Sequence, residues 1–437
     1  MQDLFAEFPS ATRSDWEKQV SRELKGQGPE HLVWHNPNGF NIEAIYTPED
    51  IKPGYEPAFL HRDWLISAHH QGNEKELNAK FLRDLSQGAG AISFVSEGLH
   101  FEDVFKQIDL DAITTTVTLN AHDAKELNAY LGKAYAGKAV SLVLIPSSMQ
   151  NEIDLLSWKD VHQIFHDRPE VLCCAVDMCR EESSGALAYY EIAMAFSLAL
   201  ESLNRYGSLA PEVLNKDLVI KSPVSSDFFT QIAKLRAYRR LWPLLRKEFG
   251  LSTELFVLTQ TSTEIQSISD AYNNLLRNSL ASLSAVLGGC NQLEVLPYDY
   301  WTNTDSALSG RLALNQQLLL KHELNLDQLA DVACGSYYIE YLTDKLATQA
   351  LDCIKGMEQR GGYFKCLESG EIEAELDRQR ANCFEGLDSA NDIRIGVNKF
   401  RNDKENLTLS PELIRKLEEF APYYPLLGNE LKKLQNA

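Results

Sequence analysis

Eight short apolar runs, spaced by longer amphipathic stretches, dominate the middle of the chain: Trp64–His69, Ala91–Val95, Ala112–Leu119, Ser141–Pro146, Val171–Met178, Leu218–Val224, Leu255–Thr261 and Gln292–Pro297. Several are apolar on both faces, as strands packed between helices must be. The segments between them, such as KELNAKFLRDLSQG and HDAKELNAYLGKAY, carry helical periodicity. Strand–helix alternation implies parallel strands with right-handed crossovers, and eight units imply an α/β fold of the (β/α)₈ TIM-barrel class. A doubly wound open sheet is the alternative. It rarely reaches eight units without a Gly-rich first turn, and the chain has no G-x-G-x-x-G motif or P-loop.

A chain of 437 residues exceeds what one core usually organises, so appended segments are expected. Residues 1–55 read as an N-terminal arm, 56–325 as the barrel and 326–437 as a C-terminal helical segment. In the arm, Ser14 is placed to cap a helix over Ser14–Lys25, with Glu17 as its capping-box partner and Gly26 as its stop. Trp16, Trp34 and Tyr46 have too little chain around them to be buried within the arm. They pack either on this chain's own body or on a partner subunit, as a clamp. Past the barrel, helices are expected over Ser306–Glu323, Tyr338–Arg360, Ser369–Leu387 and Ser410–Gln435, with Pro411 in the first turn of the last.

Lys and Arg total 42 against 62 Asp and Glu, a net charge of −20. So acidic a surface repels phosphate backbones and anionic lipid, which argues against nucleic-acid and membrane partners. No run of 18 apolar residues is present, and the start MQDLFAEFPSATRSDW lacks the features of a signal peptide, so a cytoplasmic location is expected. The eight cysteines form no CxxC pair, and no disulfide framework is expected.

The stretch FFTQIAKLRAYRRLW, residues 228–242, resembles the F-F-x-E-I-A-K-x-R-A-x-R-x-L-W signature of the adenosylcobalamin-dependent acyl-CoA mutases, the methylmalonyl-CoA mutase family. Residues 270–299 are similar to that family's P-Y-N-N-x-x-R and A-V-L-G-G segment. Gly335–Glu340 with Leu342 and Thr343 resembles its D-P-x-G-G-S-Y-Y-V-E-x-L-T, and Trp34, Gly39, Tyr46 and Thr47 its W-x-x-x-x-G and Y-T. The matches keep the family's order and cover most of the chain. The resemblance implies that the complex to which such a chain belongs interconverts methylmalonyl-CoA and succinyl-CoA through an adenosyl radical. It also implies that coenzyme A threads the barrel while a separate domain presents cobalamin at its mouth. Such chemistry needs a dry cavity with polar groups that hold carboxylate and thioester.

Against that pattern the catalytic positions have changed. The histidine of H-x-Q-T-S-G, which holds the thioester carbonyl in the family, is Leu258, and the closing glycine is Thr263. Leucine donates no hydrogen bond, so it polarises no carbonyl. In the first-strand pattern R-P-W-T-I-R-Q-Y-A-G, the second arginine is Ser67 and the tyrosine is His69. Pro146-Ser147-Ser148-Met149 stands where the family has G-T-x-Q-N-D, and Val176–Cys179 where it has S-G-Y-H. The cobalamin signature D-x-H-x-x-G has no match. Asp160-Val161-His162 is followed by Phe165 in the glycine position, and reads as a helix start capped by Ser157.

No catalytic residue is therefore expected, with Ser67, His69, Leu258 and Thr263 as degenerate positions. His69, Asp177, Gln260 and Thr261 are candidates to line a pocket at the barrel mouth. Asp177 reads equally well as a loop cap. His69 and His70 point to opposite faces of a strand and do not share a metal. Cys173, Cys174 and Cys179 read as apolar filling, and Gly288-Gly289 as a helix stop. The cationic run Lys234–Arg246 reads as a solvated face or a salt-bridge network, ahead of a coenzyme A phosphate site. The resemblance implies a structural subunit that binds no cofactor itself and pairs, as a heterodimer, with a large catalytic chain carrying adenosylcobalamin. The alternatives are a barrel that takes cobalamin in trans, and a non-catalytic module that binds acyl-CoA weakly.

Overall fold

The computed structural model describes residues 11–50, 56–206, 217–302, 306–388, 392–401, 409–422 and 424–435. All eight runs are strands of one parallel sheet: β1 (Leu65–His70), β2 (Ala91–Val95), β3 (Thr114–Leu119), β4 (Ser141–Pro146), β5 (Val171–Leu172 and Ala175–Asp177), β6 (Leu218–Val224), β7 (Leu255–Thr261) and β8 (Gln292–Glu294). Each pairs with its neighbour in order, and β8 returns to β1 through Leu293 beside Ile66. The two halves of β5 close the ring. Val171–Leu172 pairs with β4 and Ala175–Asp177 with β6. The result is a (β/α)₈-type barrel.

Helices surround this sheet because the outward strand positions are apolar and must be covered. Several helices start where a side chain takes up free backbone N–H groups. Asn73, Asn120 and Asn151 cap the helices Glu74–Ser86, Ala121–Ala134 and Glu152–Ile164. Asn151 corrects the expected cap at Ser157, which lies inside that helix with Asp160. In the arm, Thr12 caps the helix Arg13–Glu23 and Asp15 completes the box, in place of Ser14 and Glu17.

The wall between barrel and outer helices holds the segments that carried the family resemblance. Lys234 of helix Phe228–Glu248 is buried, and its Nζ donates to Glu191 (2.8 Å) and to the carbonyl of Pro223 (2.6 Å). Tyr238 and Ser222 also donate to Glu191. Two residues on, buried Arg236 pairs with Asp331 and Glu340, and Arg240, one turn after it, joins Glu340 and Asp344. The cationic run is thus a salt-bridge network, and its inner half is buried rather than solvated. Asn274 and Asn278, on helix Tyr272–Leu287, tie the loops after β7 and β8 by donating to Ser267, Tyr298 and Leu296 carbonyls.

The arm packs on this chain's own helix Tyr337–Gln359. Tyr46 lies 4.6 Å from the Tyr341 ring, Tyr341 donates to the carbonyl of Asn41, and Gln349 to that of Asn38. The last expected helix is two, Pro411–Phe420 and Pro425–Gln435, while the helix expected over Ser369–Leu387 is found as Glu371–Asp388, preceded by a further short helix, Tyr363–Glu368. No helix of the described residues is long and apolar enough to cross a membrane.

Candidate functional site

In a (β/α)₈ barrel chemistry is hosted at the carboxyl ends of the strands, reached from the lumen or the mouth. Strand register decides which side chains enter the lumen. Neighbours Lys221, Leu258 and Gln292 share one face, as do His69, Ser93 and Thr116.

One side of the lumen is apolar. Leu258 is fully buried among Val143, Ile145, Ala175 and Val219. The other side is bridged by an amide. Gln292 Nε2 donates to Ser67 Oγ and Thr116 Oγ1, both at 3.0 Å. Ser67 and Leu258, two of the degenerate positions, are thus packing elements of a filled barrel.

Above this layer lies a buried charged cluster. Lys221 Nζ is 3.7 Å from both Asp177 Oδ2 and Glu294 Oε2. His69 Nδ1 is 3.2 Å from Ser93 Oγ and 3.5 Å from Glu294 Oε2. Burial and the Lys221 charge push His69 down to about 3, so it is neutral near neutral pH. Burial opposes the Lys221 charge, but the Asp177 and Glu294 carboxylates outweigh it and raise its pKa. Burial also raises Glu294, and neither of its oxygens meets a well-aligned hydrogen-bond donor. His69 faces away from His70, which contacts Asp84 at 2.5 Å on the helix side. The two histidines therefore share no site.

The remaining candidates divide. Asp177 serves both roles read from the sequence. Its Oδ1 accepts from the Cys179 N–H (2.9 Å), and it lines a cavity of about 230 Å³ at the mouth, with Thr118, Ser148, Cys179, Glu181 and Tyr424. Gln260 Oε1 accepts from Cys179 Sγ at 3.5 Å. Thr261 turns aside: its Oγ1 accepts from the Leu296 N–H and fastens β7 to the loop after β8. Thr263 Oγ1 lies 3.2 Å from Ser183 Oγ. Of the arm residues, Trp34 is half-exposed, Trp16 is partly buried, and Tyr46 packs at a tilt against the chain's own Tyr338 and Tyr341.

Sequence reasoning missed Lys221 and Glu294. Each is a charged residue at a lumen-facing position of a strand, LVIKSPV and QLE, and that parity was the available signal. It also missed the cover. Glu430 Oε2 accepts from Ser267 Oγ and the Ile268 N–H, both 2.9 Å, in the loop after β7. Leu417, Leu427 and Leu431 pack on Ile268 and Trp301. The C-terminal helix pair therefore sits over the mouth loops, with Tyr424 in the cavity lining.

Residues 146–418 match the family model described as methylmalonyl-CoA mutase. The methylmalonyl-CoA mutase small subunit of Porphyromonas gingivalis is 26% identical, over 92% of this chain and 72% of that relative. Methylmalonyl-CoA mutase of Rhizobium meliloti is 26% identical over 90% of this chain and 64% of its own length. The mitochondrial methylmalonyl-CoA mutase of Homo sapiens is 25% identical over 90% of this chain and 61% of its own length. The chain thus spans less than two thirds of the latter two relatives.

Proposed function

From the premise that this chain belongs to the methylmalonyl-CoA mutase family, we propose that it is the non-catalytic, structural subunit of a two-chain mutase located in the cytoplasm. Its partner is a large chain that binds adenosylcobalamin and carries out the interconversion of methylmalonyl-CoA and succinyl-CoA. The small subunit named in Porphyromonas gingivalis supports the two-chain arrangement. The observation that carries the reading is the filled lumen. Leu258 is buried among aliphatic side chains, and Gln292 spans Ser67 and Thr116 where an acyl chain would have to pass. A thioester carbonyl placed there would meet no donor from Leu258, and without preorganised donors a developing charge is not stabilised.

The histidine of the D-x-H stretch does not suit cobalt ligation. His162 is buried with Nδ1 3.3 Å from Cys173 Sγ, inside helix Glu152–Ile164. The mouth loops are covered by the helix pair anchored through Glu430. Cobalamin chemistry belongs to the partner in this reading, and the trans-cobalamin alternative is disfavoured by the same cover. The acyl-CoA-binding alternative is disfavoured by the filled lumen, and thermal-shift titration with coenzyme A esters separates it: the structural reading expects no shift.

The test is purification of the chain from its source under mild conditions. The expected result is a one-to-one complex with a larger, cobalamin-containing chain. A homodimer that turns over methylmalonyl-CoA without any companion overturns the proposal.

A further inference from the structure

A chain carrying 62 acidic residues should show them on every exposed helix, yet two neighbouring barrel helices have none. Helix Tyr272–Leu287 (YNNLLRNSLASLSAVL) and helix Ser306–His322 (SALSGRLALNQQLLLKH) contain no Asp or Glu. Every other α-helix of the described residues contains at least one. The two lie side by side. Gln316 Nε2 donates to the Leu275 carbonyl (2.7 Å) and to Ser279 Oγ (2.8 Å) across their seam.

What these helices expose instead is apolar. Tyr272, Leu276 and Leu280 stand on successive turns of the first, with Leu276 66% exposed, and Leu308 and Leu319 stand on the second. Contiguous exposed leucine of this kind marks a contact surface more often than a solvated one. The missing carboxylates fit the same role, because a carboxylate trapped without a partner in an interface is strongly destabilising, and interface centres are depleted of charge.

Charge also selects the occupant. The exposed cation of this face is Arg311, which has no ion pair among the described residues. A second copy of this chain docking through the same face would bring Arg311 towards Arg311 with no acid to meet it, since a two-fold contact pairs each patch with itself. A copy would also bring a second charge of −20.

We propose that the face formed by helices Tyr272–Leu287 and Ser306–His322 is the docking surface for the large mutase chain. The occupant is a helical surface of that chain with aliphatic side chains for Leu276 and Leu280 and a carboxylate for Arg311. This rests on the two-chain reading and adds to it the place of contact, on the barrel wall rather than on the arm alone.

The test uses the full chain and the large mutase chain of the same source, titrated by calorimetry and sized by light scattering. Leu276→Glu with Leu280→Glu is expected to weaken the one-to-one complex at least tenfold, and Arg311→Glu to weaken it measurably. Ile153→Glu, at an exposed leucine-like position on helix Glu152–Ile164, is the control and is expected to bind as the unaltered chain does. Hydrogen exchange of the unaltered complex is expected to show protection over residues 272–287 and 306–322. If the unaltered chain binds but the leucine variants bind equally well and those residues stay unprotected, the docking face is wrong while the two-chain reading stands. If the unaltered chain does not bind the large chain, both fail. A chain that dimerises with itself and becomes monomeric as Leu276→Glu contradicts the choice of occupant.

Discussion

Buried ionic networks occur both in the wall of the barrel and in its lumen, and the two places are built to different standards. In the wall, Lys234 and Glu191 meet at 2.8 Å, with Pro223, Ser222 and Tyr238 satisfying the remaining groups. Beside it Arg236 joins Asp331 and Glu340, and Glu340 also accepts from the Gly335 N–H at 3.0 Å. In the lumen, Lys221 is 3.7 Å from each of two carboxylates, and Glu294 lacks a well-aligned donor. A buried charge is tolerated when its hydrogen-bonding capacity is met, and is costly otherwise. The wall cations Lys234, Arg236 and Arg240, with Glu340, come from stretches that resemble the family, while His69 and Asp177 at the lumen stand where the sequence departs from its pattern.

This contrast can be broken or sharpened by substitution. The largest effect is expected in the wall. Arg236→Ala leaves Glu340 and Asp331 buried without their cation and should cost about 3–5 kcal/mol in urea denaturation, enough to impair folding. A loss below about 1 kcal/mol would show that the wall network is not what holds the frame. Next comes Leu258→His, which restores the family's histidine. It should yield no turnover, and it should destabilise by about 2–3 kcal/mol because a polar ring then replaces an aliphatic group in an apolar cluster. Rescue of mutase activity would show that the lumen is less filled than its packing implies.

Lys221→Met should cost less than Arg236→Ala, about 1–2 kcal/mol, because burial already favours the protonated form of Glu294 and the vacated charge can be neutralised. Equal losses at Lys221 and Arg236 would erase the distinction between lumen and wall. The smallest expected effect is a pH slope at the mouth. Burial, and the neighbouring Glu182 charge, raise Glu264 to about 8, and burial raises Glu182 to about 7, against an ordinary 4.5. The folded state then binds protons that the unfolded state has released. This contribution is full below about pH 4.5 and is lost as pH rises through about 7–8. Glu264→Gln should flatten the decline in stability measured between about pH 5 and pH 8, by on the order of 1 kcal/mol. An unchanged slope would place its origin elsewhere.

The barrel was legible because strand runs and helical stretches differ in period, and all eight runs emerged as strands. Boundaries slipped where local chemistry offered two answers. Thr12 with Asp15 and Ser14 with Glu17 are both capping patterns, and the backbone uses the first. The C-terminal helix was read through Pro425, although proline lacks the N–H and sterically opposes continuation, and the chain starts a new helix there. Loss of the catalytic pattern was legible at Leu258, because a side chain without a donor is evident from its formula. The partner of a buried lysine was not: Glu191 lies 43 residues from Lys234, and no local pattern joins them. Glu430 was hidden for the same reason, 163 residues from the Ser267 hydroxyl that it accepts from.

The central claim is that this barrel cannot steady a migrating thioester. Its most direct test is an assay of the purified chain, supplied with adenosylcobalamin and methylmalonyl-CoA, before and after addition of the large chain. No succinyl-CoA should form until the large chain is present. Succinyl-CoA formed by this chain alone would contradict the account.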